Sequence, residues 1–193
     1  MSLRDAGHVS LAYFYFDFRN EDKKRFRNFI TSLLTQLSAY SEPCQKIISH
    51  LYSTHGKGAE QPRTDVLQYC LTEMLEVMTP MPVYIIVDAL DECPDISGMP
   101  TQREMTLNLV EDLVRMQLPS LHVCVTSRPE VDIRDVLESL AYCAISLQDE
   151  SGQQKDISDY ITKVVHSDKK MRRWRDDEKK IVIKELSDKA DGM

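Results

Sequence analysis

Asp88, Asp91 and Glu92 stand together at the end of an apolar run, Val83-Tyr84-Ile85-Ile86-Val87, that opens after Pro82 and closes at Cys93-Pro94. A continuous run of apolar and β-branched residues reads as a buried strand, so the acidic groups fall at its C-terminal tip. Ligands of open α/β sheets gather outside the carboxyl ends of the strands, and carboxylate oxygens are natural ligands for Mg²⁺. Asp88 is therefore the candidate metal ligand. The small Ala89 allows close approach, and Asp91 and Glu92 follow at the next turn, placed to polarise a water beside a metal-bound phosphate. An Asp at the end of a strand also serves as the cap of a following turn or helix, and this segment alone leaves both readings open.

A second short apolar run at 121–126 ends in Ser127-Arg128-Pro129-Glu130. It places a guanidinium at another strand tip, and Arg is the side chain suited to planar recognition of phosphate oxygens. One acidic tip beside one carrying an Arg would make a site for a phosphate and its metal.

The wording of the two segments, Val-Asp-Ala-Leu-Asp-Glu-Cys and then Thr-Ser-Arg-Pro-Glu, resembles the Walker B and sensor 1 strands of NACHT domains, which belong to the STAND class of P-loop NTPases. It is similar in particular to the nephrocystin-type NACHT domains of large fungal receptors, which usually stand upstream of ankyrin, WD40 or other repeats. The resemblance extends over nearly the whole chain, with Walker B at 83–93 and sensor 1 at 121–130. It implies an α/β fold of the P-loop (ASCE) kind, a parallel sheet in an α/β/α sandwich. It also implies residue roles: Asp88 holds Mg²⁺ through water and thereby binds ATP or GTP. Glu92 orients or deprotonates the attacking water with Asp91 in support, and Arg128 senses the γ-phosphate.

Length and composition agree with one α/β domain. The 193 residues suffice for a substantial core, and 42% hydrophobic with 28% charged residues is ordinary for a globular protein. A net charge of -7 disfavours general attraction to nucleic acid or to an anionic membrane. No stretch is long and apolar enough for a membrane span, and residues 1–7 lack a signal-peptide core, so a cytoplasmic location is expected. Cys44, Cys70, Cys93, Cys124 and Cys143 form no Cys-x-x-Cys pair, and the His residues have no metal-ligand spacing. Cys93 follows the acidic tip, but no His is near it to activate a nucleophile.

The remaining elements must position these tips. Residues 11–18 predict a strand, and Asn20 a cap for a helix with Phe26, Phe29, Ile30, Leu33, Leu34 and Leu37 on its buried face. A second helix is expected over 42–52, then a surface loop at His55-Gly56-Lys57-Gly58. That loop is no phosphate cradle, because no hydroxyl follows the lysine and no strand precedes it. Thr64 is expected to cap a helix burying Leu67, Leu71, Met74, Leu75 and Met78, which Pro80 and Pro82 end. A helix over 102–117 would pack Met105, Leu109, Val110, Leu113, Val114 and Met116, followed by a helix over 131–140 and a strand over 141–147. An amphipathic helix beginning at 149–151 carries Ile157, Tyr160, Ile161, Val164 and Val165, and a last helix runs over 176–190. Between them, Lys169-Lys170-Met171-Arg172-Arg173-Trp174-Arg175 is either a nucleic-acid contact or, as the acidic balance favours, a solvated helix edge beside Asp176, Asp177 and Glu178.

No Walker A pattern occurs in the chain. In the resembling family that strand and loop precede the segment beginning at Met1 and fill the middle of the sheet, so residues 1–150 are expected to be a nucleotide-binding core without its phosphate-binding strand. Residues 151–193 would be a helical extension that stops before the winged-helix region. Two functions follow: part of a nucleotide-dependent signalling switch, or a non-catalytic interaction module that holds no nucleotide or metal of its own and meets other NACHT or repeat-protein chains. Ser127 lies in no Gly-x-Ser-x-Gly elbow, and no Ser-His-Asp set is legible.

Overall fold

Residues 9–39, 41–95, 98–146 and 151–189 are described by the computed structural model. The chain forms two compact units, Met1–Ala141 and Tyr142–Met193. In chain order the first holds β1 (Ser10–Tyr15), α1 (Phe26–Ser38), α2 (Glu42–Thr54), α3 (Thr64–Met78), β2 (Val83–Asp88), α4 (Gln102–Arg115), β3 (Leu121–Val125) and α5 (Val131–Leu140). The second holds α6 (Ser151–Ser167) and α7 (Asp176–Lys189).

The three strands form one parallel sheet in the order β1-β2-β3, with Ala12 opposite Ile85 and Ile85 opposite Val123. Two crossovers running the same way across a parallel sheet place their helices on one face, because each is right-handed. The packing agrees: α1 lies on β1 and touches both α3 and α4. Strand alternation then sorts the side chains. Ala12, Phe14, Val83, Ile85 and Val87 point into the core, where Phe29, Ile30, Leu33, Leu37, Leu71, Met74, Leu75 and Leu113 are buried. The six apolar positions expected on α1 and the five expected on α3 are all buried. Phe29 is the hub, with its ring 5.4 Å from Phe14, 5.8 Å from Phe16 and 6.3 Å from Phe26.

The opposite face carries Tyr13, Tyr15 and Tyr84, between 41% and 49% exposed. Tyr84 stacks on His122 at 4.8 Å, and the Lys23 ammonium sits 4.0 Å from the Tyr15 ring. The outer edge of β1 is plugged by Gln36, whose amide accepts from the Tyr13 N–H (3.1 Å) and donates to the Tyr13 carbonyl (2.7 Å). The outer edge of β3 differs. Val83 N–H donates to the Ser120 carbonyl and Thr126 N–H to the Val87 carbonyl, so the even-numbered residues of β3 turn their backbone groups to β2. Those of Val123 and Val125 face away from it, and no described strand pairs with them.

Five expectations need correction. β1 stops at Tyr15, short of Phe18, because Asp17 accepts the Arg19 N–H (2.9 Å) and the chain turns there. Asn20 caps only the single 3₁₀ turn Glu21–Lys23, through a bond from the Asp22 N–H (2.9 Å). Arg25 is extended and breaks the helix, and α1 begins at Phe26, whose N–H is taken by Gln102 Oε1 at 2.8 Å. Thr64 is the first residue of α3, with Arg63 at the cap position and no side-chain cap bond. Residues 141–146 form no strand, and Tyr142 is fully exposed. An extended segment becomes a strand only when a neighbour takes its backbone bonds, and no described strand pairs with it. Leu147 lies outside the described residues. α4 ends at Arg115 and not at 117, where Gln117 takes a positive φ of 50°.

The Gly56–Gly58 segment is an exposed 3₁₀ turn between α2 and α3. In the second unit α6 packs on α7, and Val165 is buried while Tyr160 is 69% exposed. The basic run forms the 3₁₀ turn Lys169–Arg173, capped by Asp168, and Glu178 accepts the Arg175 N–H at 2.8 Å. No described helix is long and apolar enough to cross a membrane.

Candidate functional site at the strand tips

Parallel pairing brings the ends of β2 and β3 side by side, which places the acidic turn against the Thr126-to-Arg128 segment. Asp88, the last residue of β2, is exposed, and its Oδ1 accepts the Thr126 hydroxyl proton. The same hydroxyl oxygen accepts the Ala89 N–H at 3.1 Å. Ala89 has φ 54° and ψ 49°, a left-handed conformation in which a small residue is least strained. This residue turns the chain sharply out of the strand into a 3₁₀ turn, Leu90–Glu92. The Leu90 side chain is fully buried, and its N–H donates to the Thr126 carbonyl at 3.0 Å. Thr126 thus clamps both sides of the turn.

Asp91 and Glu92 point in different directions. The Asp91 side chain is only 10% exposed, and its Oδ1 accepts the Arg128 N–H at 3.1 Å while Oδ2 lies 3.5 Å from Arg128 Nε. Glu92 Oε2 accepts the Phe18 N–H at 3.1 Å, which ties the acidic turn to the loop after β1. The Arg128 side chain is 83% exposed and is the cation of the site. Asp88, Asp91, Glu92 and Arg128 are therefore gathered at one end of the sheet. Asp88 and Arg128 present the exposed groups, and Asp91 and Glu92 carry backbone bonds.

Sequence reasoning passed over Arg103. Its side chain is 9% exposed and fans out from the first turn of α4 to four acceptors. Nε donates to the Cys93 carbonyl (3.0 Å), one terminal nitrogen donates to the Asp91 carbonyl (2.7 Å), and the other reaches Glu130 Oε2 and Asp132 Oδ2 (3.2 Å). A cation in the first turn of a helix opposes the macrodipole, and that misplacement was the one signal that it has acidic partners elsewhere.

Cys93 is buried with Sγ 3.7 Å from Thr106 Oγ1, and burial pushes its thiol up to about 11. The thiol stays protonated at neutral pH and is no nucleophile. An unfolded thiol ionises near about 8.5, so between there and about 11 the unfolded chain holds fewer protons than the native one. The contribution of Cys93 is intact below that window and is lost as pH rises through it. Burial also raises the thiols of Cys44 and Cys70, which act in the same direction. Urea midpoints should fall between pH 8.5 and 11 in the native chain, and Cys93→Ala should flatten that fall; an unchanged slope would contradict the buried thiol.

Among the described residues no three His, Cys, Asp or Glu side chains are grouped to hold a metal ion. Asp88 supplies one carboxylate whose first oxygen is held by Thr126. Mg²⁺ keeps several waters and takes few protein ligands beside phosphate oxygens, so this donor set fits an ion held with a phosphate and not a protein cage. A separate cavity of about 500 Å³ lies at the start of α1, lined by Glu21, Lys24, Arg25, Arg27, Pro94 and Gln102, and none of the four gathered residues lines it.

Against this geometry, the profile of the family described as Nephrocystin 3, N-terminal matches residues 2–128. That range takes in all three strands and ends at Arg128. No curated protein sequence and no solved structure matches the chain.

Proposed function

The chain belongs to the Nephrocystin 3, N-terminal family, and from that premise we propose that it is the Walker B and sensor part of a NACHT-type, nucleotide-dependent signalling switch of the P-loop class. One observation carries the reading: an exposed carboxylate, Asp88, and an exposed guanidinium, Arg128, stand at the carboxyl ends of neighbouring parallel strands. Asp88 would hold Mg²⁺ through water, Arg128 would meet the terminal phosphate of ATP or GTP, and Glu92 would orient the attacking water. Asp91 supports this chemistry by holding Arg128. When bound, the metal supplies charge neutralisation between the phosphates. The setting we propose is a cytoplasmic receptor of the self-recognition or innate-immunity type, with nucleotide state biasing a two-state arrangement of domains.

The second reading, an interaction module without nucleotide of its own, is favoured by the outer edge of β3, with which no described strand pairs, and by the half-exposed tyrosine face, since parallel sheets are normally covered on both sides. In the first reading the same edge and face are the seat of the phosphate-binding strand, its loop and its helix.

Calorimetric titration with Mg²⁺ and ATP, ADP, GTP or GDP separates the two. For a switch, Asp88→Ala should weaken Mg²⁺-dependent binding at least about tenfold, the loss of one charge-assisted contact. Arg128→Ala should remove the preference for triphosphate over diphosphate. A folded, monodisperse chain that binds none of the four leaves the interaction module.

A further inference from the structure

We propose that Arg103 is a positioning residue that makes the acidic turn and the Arg128 segment one rigid frame, so that they shift together or not at all. This inference goes beyond the nucleotide reading and rests on side-chain geometry alone. The guanidinium lies between two stretches of chain that share no covalent path shorter than the whole α4–β3 crossover. On one side it holds the carbonyls of Asp91 and Cys93. On the other it holds the carboxylates of Glu130 and Asp132, the cap residue and a first-turn residue of α5. Each stretch is then tied to the other a second time, through the Asp91 side chain on the Arg128 N–H and the Leu90 N–H on the Thr126 carbonyl.

The chemistry requires an arginine. Four acceptors in a fan need donors fixed in one plane, and a guanidinium offers five N–H groups in such a fork. Lysine has the charge but a single nitrogen, which cannot reach carbonyls and carboxylates on opposite sides. The two carboxylates are 43% exposed, whereas Arg103 is 9% exposed. The buried cation is thus neutralised from the solvent side, and its inner donors are spent on backbone. With Arg103 in place, the Arg128 backbone is fixed, and only its exposed side chain is free to exchange Asp91 for another anion.

Site-resolved amide hydrogen exchange on the full chain tests this, with Leu90, Cys93 and Arg128 as reporters and Leu33 and Ile85 as core references. In Arg103→Met, exchange at all three reporters should rise at least about tenfold relative to the references, which follow global stability. Arg103→Lys should leave Leu90 and Cys93 fast, because charge alone does not restore the carbonyl bonds. Should Arg103→Met fail to fold, the Glu130→Gln, Asp132→Asn double variant serves. It should speed Leu90 and Cys93, which neither substitution touches. Equal acceleration of reporters and references, full rescue by lysine, or changes in the double variant confined to residues 128–134 would each overturn the proposal.

Discussion

Phe29→Ala should remove about 3–5 kcal/mol of stability, the usual loss for a large aromatic deleted from a closed core. Phe29 is fully buried and its ring meets Phe14, Phe16 and Phe26 at 5.4, 5.8 and 6.3 Å. It is the contact through which α1 grips β1, so the cavity left behind is lined by rings that cannot collapse without moving the strand. Aromatic pairs add about 0.5–1.5 kcal/mol beyond burial alone, which places the expected loss in the upper part of the range. Urea unfolding followed by far-ultraviolet circular dichroism reads the change. Phe29→Leu, which keeps most of the volume, should lose less than half as much. A loss below about 1 kcal/mol for the alanine variant would show that the helix layer is held elsewhere.

The second large effect separates Asp91 from Glu92, the two neighbouring carboxylates of the acidic turn. Asp91→Ala should cost about 1.5–3 kcal/mol, because the side chain removed is only 10% exposed and takes with it a charge-assisted bond from the Arg128 N–H. Its ion pair with the Arg128 guanidinium adds little to that figure, since the arginine is 83% exposed and screened by water. Glu92→Ala should cost less than about 1 kcal/mol, because the Phe18 amide it releases lies in an exposed loop that water can serve. Asp91→Asn keeps an acceptor oxygen and should recover most of the loss. Equal costs for the two alanine variants, measured by the same unfolding experiment, would remove Asp91 from the role of brace.

These expectations rest on features of unequal legibility. The helix faces were readable: Phe26, Phe29, Ile30, Leu33, Leu34 and Leu37 repeat at helical spacing and all six are buried. So was β2, because an unbroken apolar run, mostly β-branched, bounded by Pro82 and an acidic turn has few alternatives. Element starts were less readable. Asn20 has the chemistry of a cap and does cap a turn, but a break at Arg25 separates that turn from α1. Thr64 opens α3 without capping it. The strand expected at 141–147 failed for a different reason. Local pattern marks a segment able to extend, while strand formation depends on a partner elsewhere.

The sequence by itself determined the α/β class, the faces of its main helices, and the position of Asp88 and Arg128, each at the end of its own apolar run. It could do so because side-chain period and strand ends are consequences of covalent geometry, which each short segment carries alone. Only the tertiary structure decided what those groups do there: Thr126 on Asp88, Asp91 on the Arg128 amide, Glu92 on the Phe18 amide, and Arg103 across both loops. A hydrogen bond is set by where two remote segments come to rest to within a few tenths of an ångström, and no local pattern contains that distance.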